Sequence, residues 1–100
     1  MNQATARPAR RYRKPTAVGA GWRAWTEQTA PNGVAASGYY SWRTDDGVTG
    51  WAWPSVVVPD RGGYGVVVWF AWTDPTRWPE APVTADSLPS VIRAATEDVR

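Results

Sequence analysis

Tyr39-Tyr40-Ser41-Trp42-Arg43-Thr44-Asp45-Asp46-Gly47-Val48-Thr49-Gly50-Trp51-Ala52-Trp53 is the stretch that decides the fold. Apolar residues alternate on both sides of an Asp-Gly pair. That pattern signals a β-hairpin, because both central residues of a type I′ turn need positive φ. A two-residue turn closed by Asp45 and Val48 sets Trp42 opposite Trp51 and Tyr40 opposite Trp53. A four-residue loop closed by Thr44 and Thr49 gives the same register, whereas a three-residue bulged loop sets Trp42 opposite Gly50. The first register is the expectation. It gathers four rings on one face, where aromatic cross-strand pairs contribute about 0.2–1 kcal/mol each.

Working outward, Gly21–Glu27 reads as an earlier strand, followed by a Pro31-Asn32-Gly33 turn. Proline cannot donate the ladder bond that a two-residue loop wants, so a three-residue loop closed by Ala30 and Val34 is expected. That register opposes Trp22 to Trp42, although Ala35–Gly38 has room for a bulge that would spoil it. The expected aromatic face is therefore Trp22, Tyr40, Trp42, Trp51 and Trp53. It serves either as core or as a surface for ligands.

Downstream, Val56–Val58 precedes a glycine-rich turn, and Val66–Trp72 is apolar on both faces. A strand without a polar face is expected to be central and covered on both sides. The proline-rich segment 74–82, with Pro79-Glu80-Ala81-Pro82 in PxxP form, is expected to wrap the sheet rather than join it. Trp78 and its neighbouring prolines would dock on the domain's own surface. Leu88, Val91, Ile92, Ala95 and Val99 recur at helical spacing, Asp86 or Ser87 can cap, and Pro89 suits a first turn. The pattern predicts a helix over 87–99 that covers the Val66–Trp72 strand. The fold class is mixed and mainly β: a small twisted antiparallel sheet, or partly open barrel, of four to five strands with one C-terminal helix.

One hundred residues make one small domain, and eight tryptophans give it the means to build a core. The chain has no cysteine and no histidine. This removes disulfides, thiolate metal sites, the usual general base and the Ser-His and Cys-His nucleophile pairs. Asp45, Asp46, Asp60, Asp74 and Asp86 all fall at turns or caps, where short acidic side chains support the backbone. No enzyme activity, no metal and no cofactor are expected. The apolar run 66–72 is too short for a bilayer, so no membrane partner is expected. The N-terminus lacks the apolar segment of a secretion signal. A cytoplasmic or virion-associated protein is the expectation. Ten arginines against one lysine, with abundant Ala, Gly, Pro and Trp, reflect GC-rich codons and point to a bacterial or phage source.

Charge divides unevenly. Arg7, Arg10, Arg11, Arg13 and Lys14 stand within eight residues that contain no acid, whereas the chain from Pro15 onward carries six arginines against nine acids. We read residues 1–17 as a basic flexible arm and 18–100 as a single β-rich domain.

The run Trp42–Ala52 resembles the central hairpin of bacterial Src-homology-three-like domains, in which an aromatic-led strand enters a D-G-x-x-G-W turn and strand. Pro54–Val58 would stand for the closing segment and Gly21–Glu27 for an earlier strand. The chain departs from that pattern in the forty residues that follow and in Trp53 before Pro54. Gly21-Trp22, Tyr39-Tyr40 and Trp51-x-x-Pro54 are also similar in order to a WW domain, with a longer first interval and no histidine. Both resemblances imply binding and not catalysis.

These features lead to a non-enzymatic interaction module. Its arm (Arg7, Arg10, Arg11, Arg13 and Lys14) would engage an anionic partner, with nucleic acid the leading candidate. The alternative is a protein-binding, self-associating or assembly component, such as a phage structural or host-targeting protein, using the aromatic face, the arm and the proline-rich segment.

Overall fold

The computed structural model describes residues 13–100. Six antiparallel strands lie in one sheet in chain order: β1 (Ala17–Gly19), β2 (Trp22–Thr29), β3 (Ala35–Thr44), β4 (Thr49–Val57), β5 (Val66–Trp72) and β6 (Val83–Ala85). The sheet curls into a half-barrel, and helix α1 (Leu88–Asp98) packs on one face against β4, β5 and β6. The strand count exceeds the expected four to five because β1 and β6, three residues each, are too short to show a period of two.

The β3–β4 register corrects the first expectation. Trp42 stands opposite Gly50, and Ser41 opposite Trp51. The cause is a three-residue loop, Asp45-Asp46-Gly47. Thr44 N–H donates to the Val48 carbonyl at 2.8 Å, Gly47 N–H donates to the Thr44 carbonyl at 3.0 Å, and Gly47 takes φ +96°. The Thr44 hydroxyl receives the Val48 N–H at 2.9 Å and donates to Asp46, which stabilises this loop over the two-residue form. One residue of shift puts Trp42 and Trp51 on opposite faces.

The β2–β3 loop has the same build and was expected to. Ala30 N–H donates to the Val34 carbonyl at 2.9 Å, and Gly33, at φ +86°, donates to the Ala30 carbonyl. The register then slips, from Thr29 opposite Ala35 to Glu27 opposite Tyr39, within the stretch where a bulge had room. Trp22 consequently pairs with Thr44, and Ala24 takes the place opposite Trp42.

On the helix side, large rings lie over small residues. Trp42 is 1 % exposed among Ala24, Ala52, Ala71, Val91, Ile92 and Ala95. Its ring crosses Gly50 so closely that a Cβ there would stand 2.4 Å from Cζ2. Trp22 lies across Gly19 in the same way. Alanine and glycine on the strands make the space that tryptophan fills.

Helix α1 begins as its sequence requires. Ser87 caps it by accepting from Ser90 N–H at 3.2 Å, and Pro89 occupies the first turn. Val91, Ile92 and Ala95 are buried, as the spacing predicts. The helix covers only the far half of β5, however. Ala71 is buried beneath it, whereas Val66 and Val67 remain more than half exposed. The expectation that β5 is covered along its length on both sides is corrected. The strand is apolar throughout, yet its first residues extend past the neighbours that would cover them.

The proline-rich segment does wrap the sheet. Asp74 caps a 3-10 turn at Pro75–Arg77, Trp78 meets Tyr39 edge-on at 6.3 Å, and Trp72 Nε1 donates to the Glu80 carbonyl at 3.1 Å. It then delivers Val83–Ala85 into the sheet beside β5, a pairing the prolines gave no reason to expect.

Candidate functional site

The face away from α1 carries the site. Residues directly opposite one another across four strands read Trp25, Ser41, Trp51 and Trp72. Ser41 is the small member of that aromatic row and leaves a notch between two indoles. Neighbouring strands lie about 4.8 Å apart, so Trp25 and Trp51 rise from backbones roughly 9.6 Å apart. A cavity of about 440 Å³ opens at this place, with Arg13, Arg43 and Thr49 beside the two tryptophans and Ser41. The next row is aromatic too, with Tyr39 stacked on Trp53 at 5.8 Å and Trp53 edge-on to Phe70 at 6.3 Å, but Tyr39 is buried there beneath Trp78.

The chain entering the domain is fastened beside the notch. Arg13 pairs with Glu27 at 3.1 Å and donates to the Thr26 carbonyl, and its own carbonyl accepts from Trp25 Nε1 at 3.4 Å. Thr26 N–H donates to the Thr16 hydroxyl at 3.1 Å. Glu27 also receives the Ser41 hydroxyl, so one carboxylate holds both the notch floor and the arginine at its rim.

Charge at this edge is predominantly positive. Arg23 and Arg43 are direct cross-strand partners, an arrangement that like charges disfavour. Arg23 turns to Asp45 at 3.3 Å, whereas Arg43 has no ion-pair partner among the described residues. Arg13, Lys14, Arg23 and Arg43 thus face two carboxylates, Glu27 and Asp45. Exposed ion pairs contribute little, so Arg23 can leave Asp45 for another anion at low cost, and Arg43 has no pair to break among the described residues.

The expected site residues divide. Arg13 and Lys14 lie here, and Arg13 lines the notch; Arg7, Arg10 and Arg11 lie outside the described residues. The expected aromatic face splits between the two sides of the sheet. Trp51 and Trp53 belong to the open side, and Trp22, Tyr40 and Trp42 to the helix side. Trp25, Ser41 and Arg43 were missed. The available signal was Trp22-x-x-Trp25, since residues three apart on a strand point to opposite faces.

Elsewhere, the Thr44 hydroxyl, and behind it the Arg100 guanidinium, holds Asp46 below the ordinary carboxylate range. Thr76 does the same for Asp74. Among the described residues no group of three acidic, histidine or cysteine side chains is placed to hold a metal. No helix there is long and apolar enough to cross a membrane. No known protein family, curated protein or solved structure matches the chain.

Proposed function

We propose that the chain is a non-enzymatic module that binds single-stranded nucleic acid. The observation that carries this reading is the notch at Ser41, where two indoles flank a space for one flat ring beside Arg13 and Arg43. Bases stacked on aromatic side chains contribute about 1–3 kcal/mol each and are accepted with little regard to sequence. Phosphates on either side of a stacked base would meet Arg43 and Arg23. Arg7, Arg10 and Arg11 precede Arg13 by two to six positions in the sequence, and Arg13 is fastened at the rim of the notch. A duplex keeps its base faces stacked inside, so an unpaired strand suits the notch better.

The test is a fluorescence anisotropy titration with a labelled oligothymidine at several salt concentrations, and with the matching duplex as comparison. Converting Trp25 and Trp51 together to Ala should weaken single-strand binding roughly 5- to 150-fold, equivalent to about 1–3 kcal/mol for one base. Removing residues 1–12 takes away Arg7, Arg10 and Arg11, which should lower the slope of log K against log salt by roughly 2 at about 0.7 per phosphate. The proposal fails if the full chain shows no salt-sensitive binding, or if the double variant binds as well as the parent.

A further inference from the structure

The far end of the β4–β5 hairpin is the least satisfied part of the described chain. Pairing of β4 to β3 ends at Tyr40 and Ala52, and pairing of β5 to β6 ends at Trp69 and Ala85. Beyond those points Ser55, Val56 and Val57 pair only with Val68, Val67 and Val66. The result is a two-stranded ribbon that projects past the sheet. Val56, Val58, Val66 and Val67 are each more than half exposed, Val57 is 41 % exposed, and Tyr64 stands almost wholly in solvent. A lone ribbon of two strands is marginal in water, and a flat apolar edge invites another strand.

We infer that this ribbon is the interface of a homodimer, formed by antiparallel pairing of β5 with β5 of a second copy about a two-fold axis near Val67. The two edges of the ribbon are not equal. Pro54 within β4 and Pro59 two residues beyond its end lack backbone donors on that edge, whereas Val66–Val68 has neither proline nor charge to keep a partner off. From Gly62 to Thr73 the chain carries no charged residue, so the surface that fits β5 must also be neutral and apolar. A second β5 has those properties. Residues 1–12 do not, since Met1 and Tyr12 are their only large apolar side chains among three arginines.

Area supports the same occupant. At about 100 Å² for a fully exposed valine side chain and about 200 Å² for tyrosine, the six residues present roughly 450 Å² of apolar surface. A stable interface of ordinary size buries about 800 Å² per partner, somewhat over half of it apolar. One ribbon therefore provides about the apolar area that one side of such a dimer uses.

Light scattering on the full chain during size-exclusion chromatography should give twice the 11.0 kDa monomer mass, declining toward the monomer on dilution. Val56→Glu with Val67→Glu should shift the apparent dissociation constant at least 100-fold toward monomer, with thermal unfolding still cooperative because both side chains face solvent. Hydrogen exchange at the amides of Val66–Val68 in the unaltered chain gives a reading that needs no variant. Their protection should rise with protein concentration. A monomer at all concentrations, a double variant that still dimerises, or exchange at 66–68 that ignores concentration overturns the proposal. So does a monomer that sediments with neutral phosphatidylcholine vesicles through Val56 and Val67, which would assign the ribbon to a lipid surface.

Discussion

The two faces of the sheet use tryptophan in opposite ways. Under α1, Trp42 is enclosed by alanines and lies across a glycine, so its ring is bound on every side by the protein. On the other face the 74–82 segment covers Tyr39 and Trp72, whereas Trp25 and Trp51 stay half-buried and line an open cavity at Ser41. The difference is set less by the tryptophans than by their partners. Small residues opposite a ring, beneath a helix, make a core. A small residue between two rings, with nothing above, makes a cavity. A high tryptophan content therefore does not by itself distinguish stability from recognition.

Truncating one ring on each side tests that contrast most strongly. Trp42→Ala should lower unfolding free energy by about 3–5 kcal/mol, as expected for a buried aromatic. Trp51→Ala should cost less than half as much, both read from denaturant midpoints at constant m-value. Equal losses would mean that the open face is as much core as the covered one. A smaller effect is expected from Gly50→Ala. The added Cβ would meet the Trp42 ring at 2.4 Å and the Trp72 carbonyl at 2.5 Å, an overpacking that costs about 1–3 kcal/mol. If Gly50→Ala is neutral, the ring does not lie on the strand as described. The smallest effect concerns the loop that sets the register. Asp46 is held below its ordinary pKa by the Thr44 hydroxyl and Arg100, so its contribution is present above the usual carboxylate range and is lost as pH falls through its folded value. Asp46→Asn should therefore flatten part of the decline in melting temperature on acidification and leave the neutral-pH region nearly level.

Much of the fold was legible, because local chemistry and tertiary packing agree there. Asn32-Gly33 and Asp46-Gly47 mark the β2–β3 and β3–β4 hairpins, and Ser87 with Pro89 marks the helix start. The register of the second hairpin was not legible. Two- and three-residue loops fit the same letters, and the choice falls to the bond from Val48 N–H to the Thr44 hydroxyl. One residue of shift split the expected aromatic face, moving Trp51 and Trp53 to the side opposite Trp42. Strands β1 and β6 escaped because three residues have no readable period, and β6 follows a segment whose prolines argue against a ladder. In the site, Arg13 and Lys14 could be singled out from charge alone. Trp25, Ser41 and Arg43 could not, since their meeting depends on a cross-strand row that no one segment contains.

Strand order in the sheet is the same as order in the chain. The route by which the molecule folds follows from this. Each strand finds its partner in the segment just made, across connections that close with little loss of chain entropy, and no early strand waits for a late one to be inserted beside it. Such a topology favours growth from hairpin to hairpin, with the growing sheet always ending in one bare edge. The face of the sheet is closed last, when α1 returns to β4, β5 and β6, so the final turns of the chain are also the ones that seal the core.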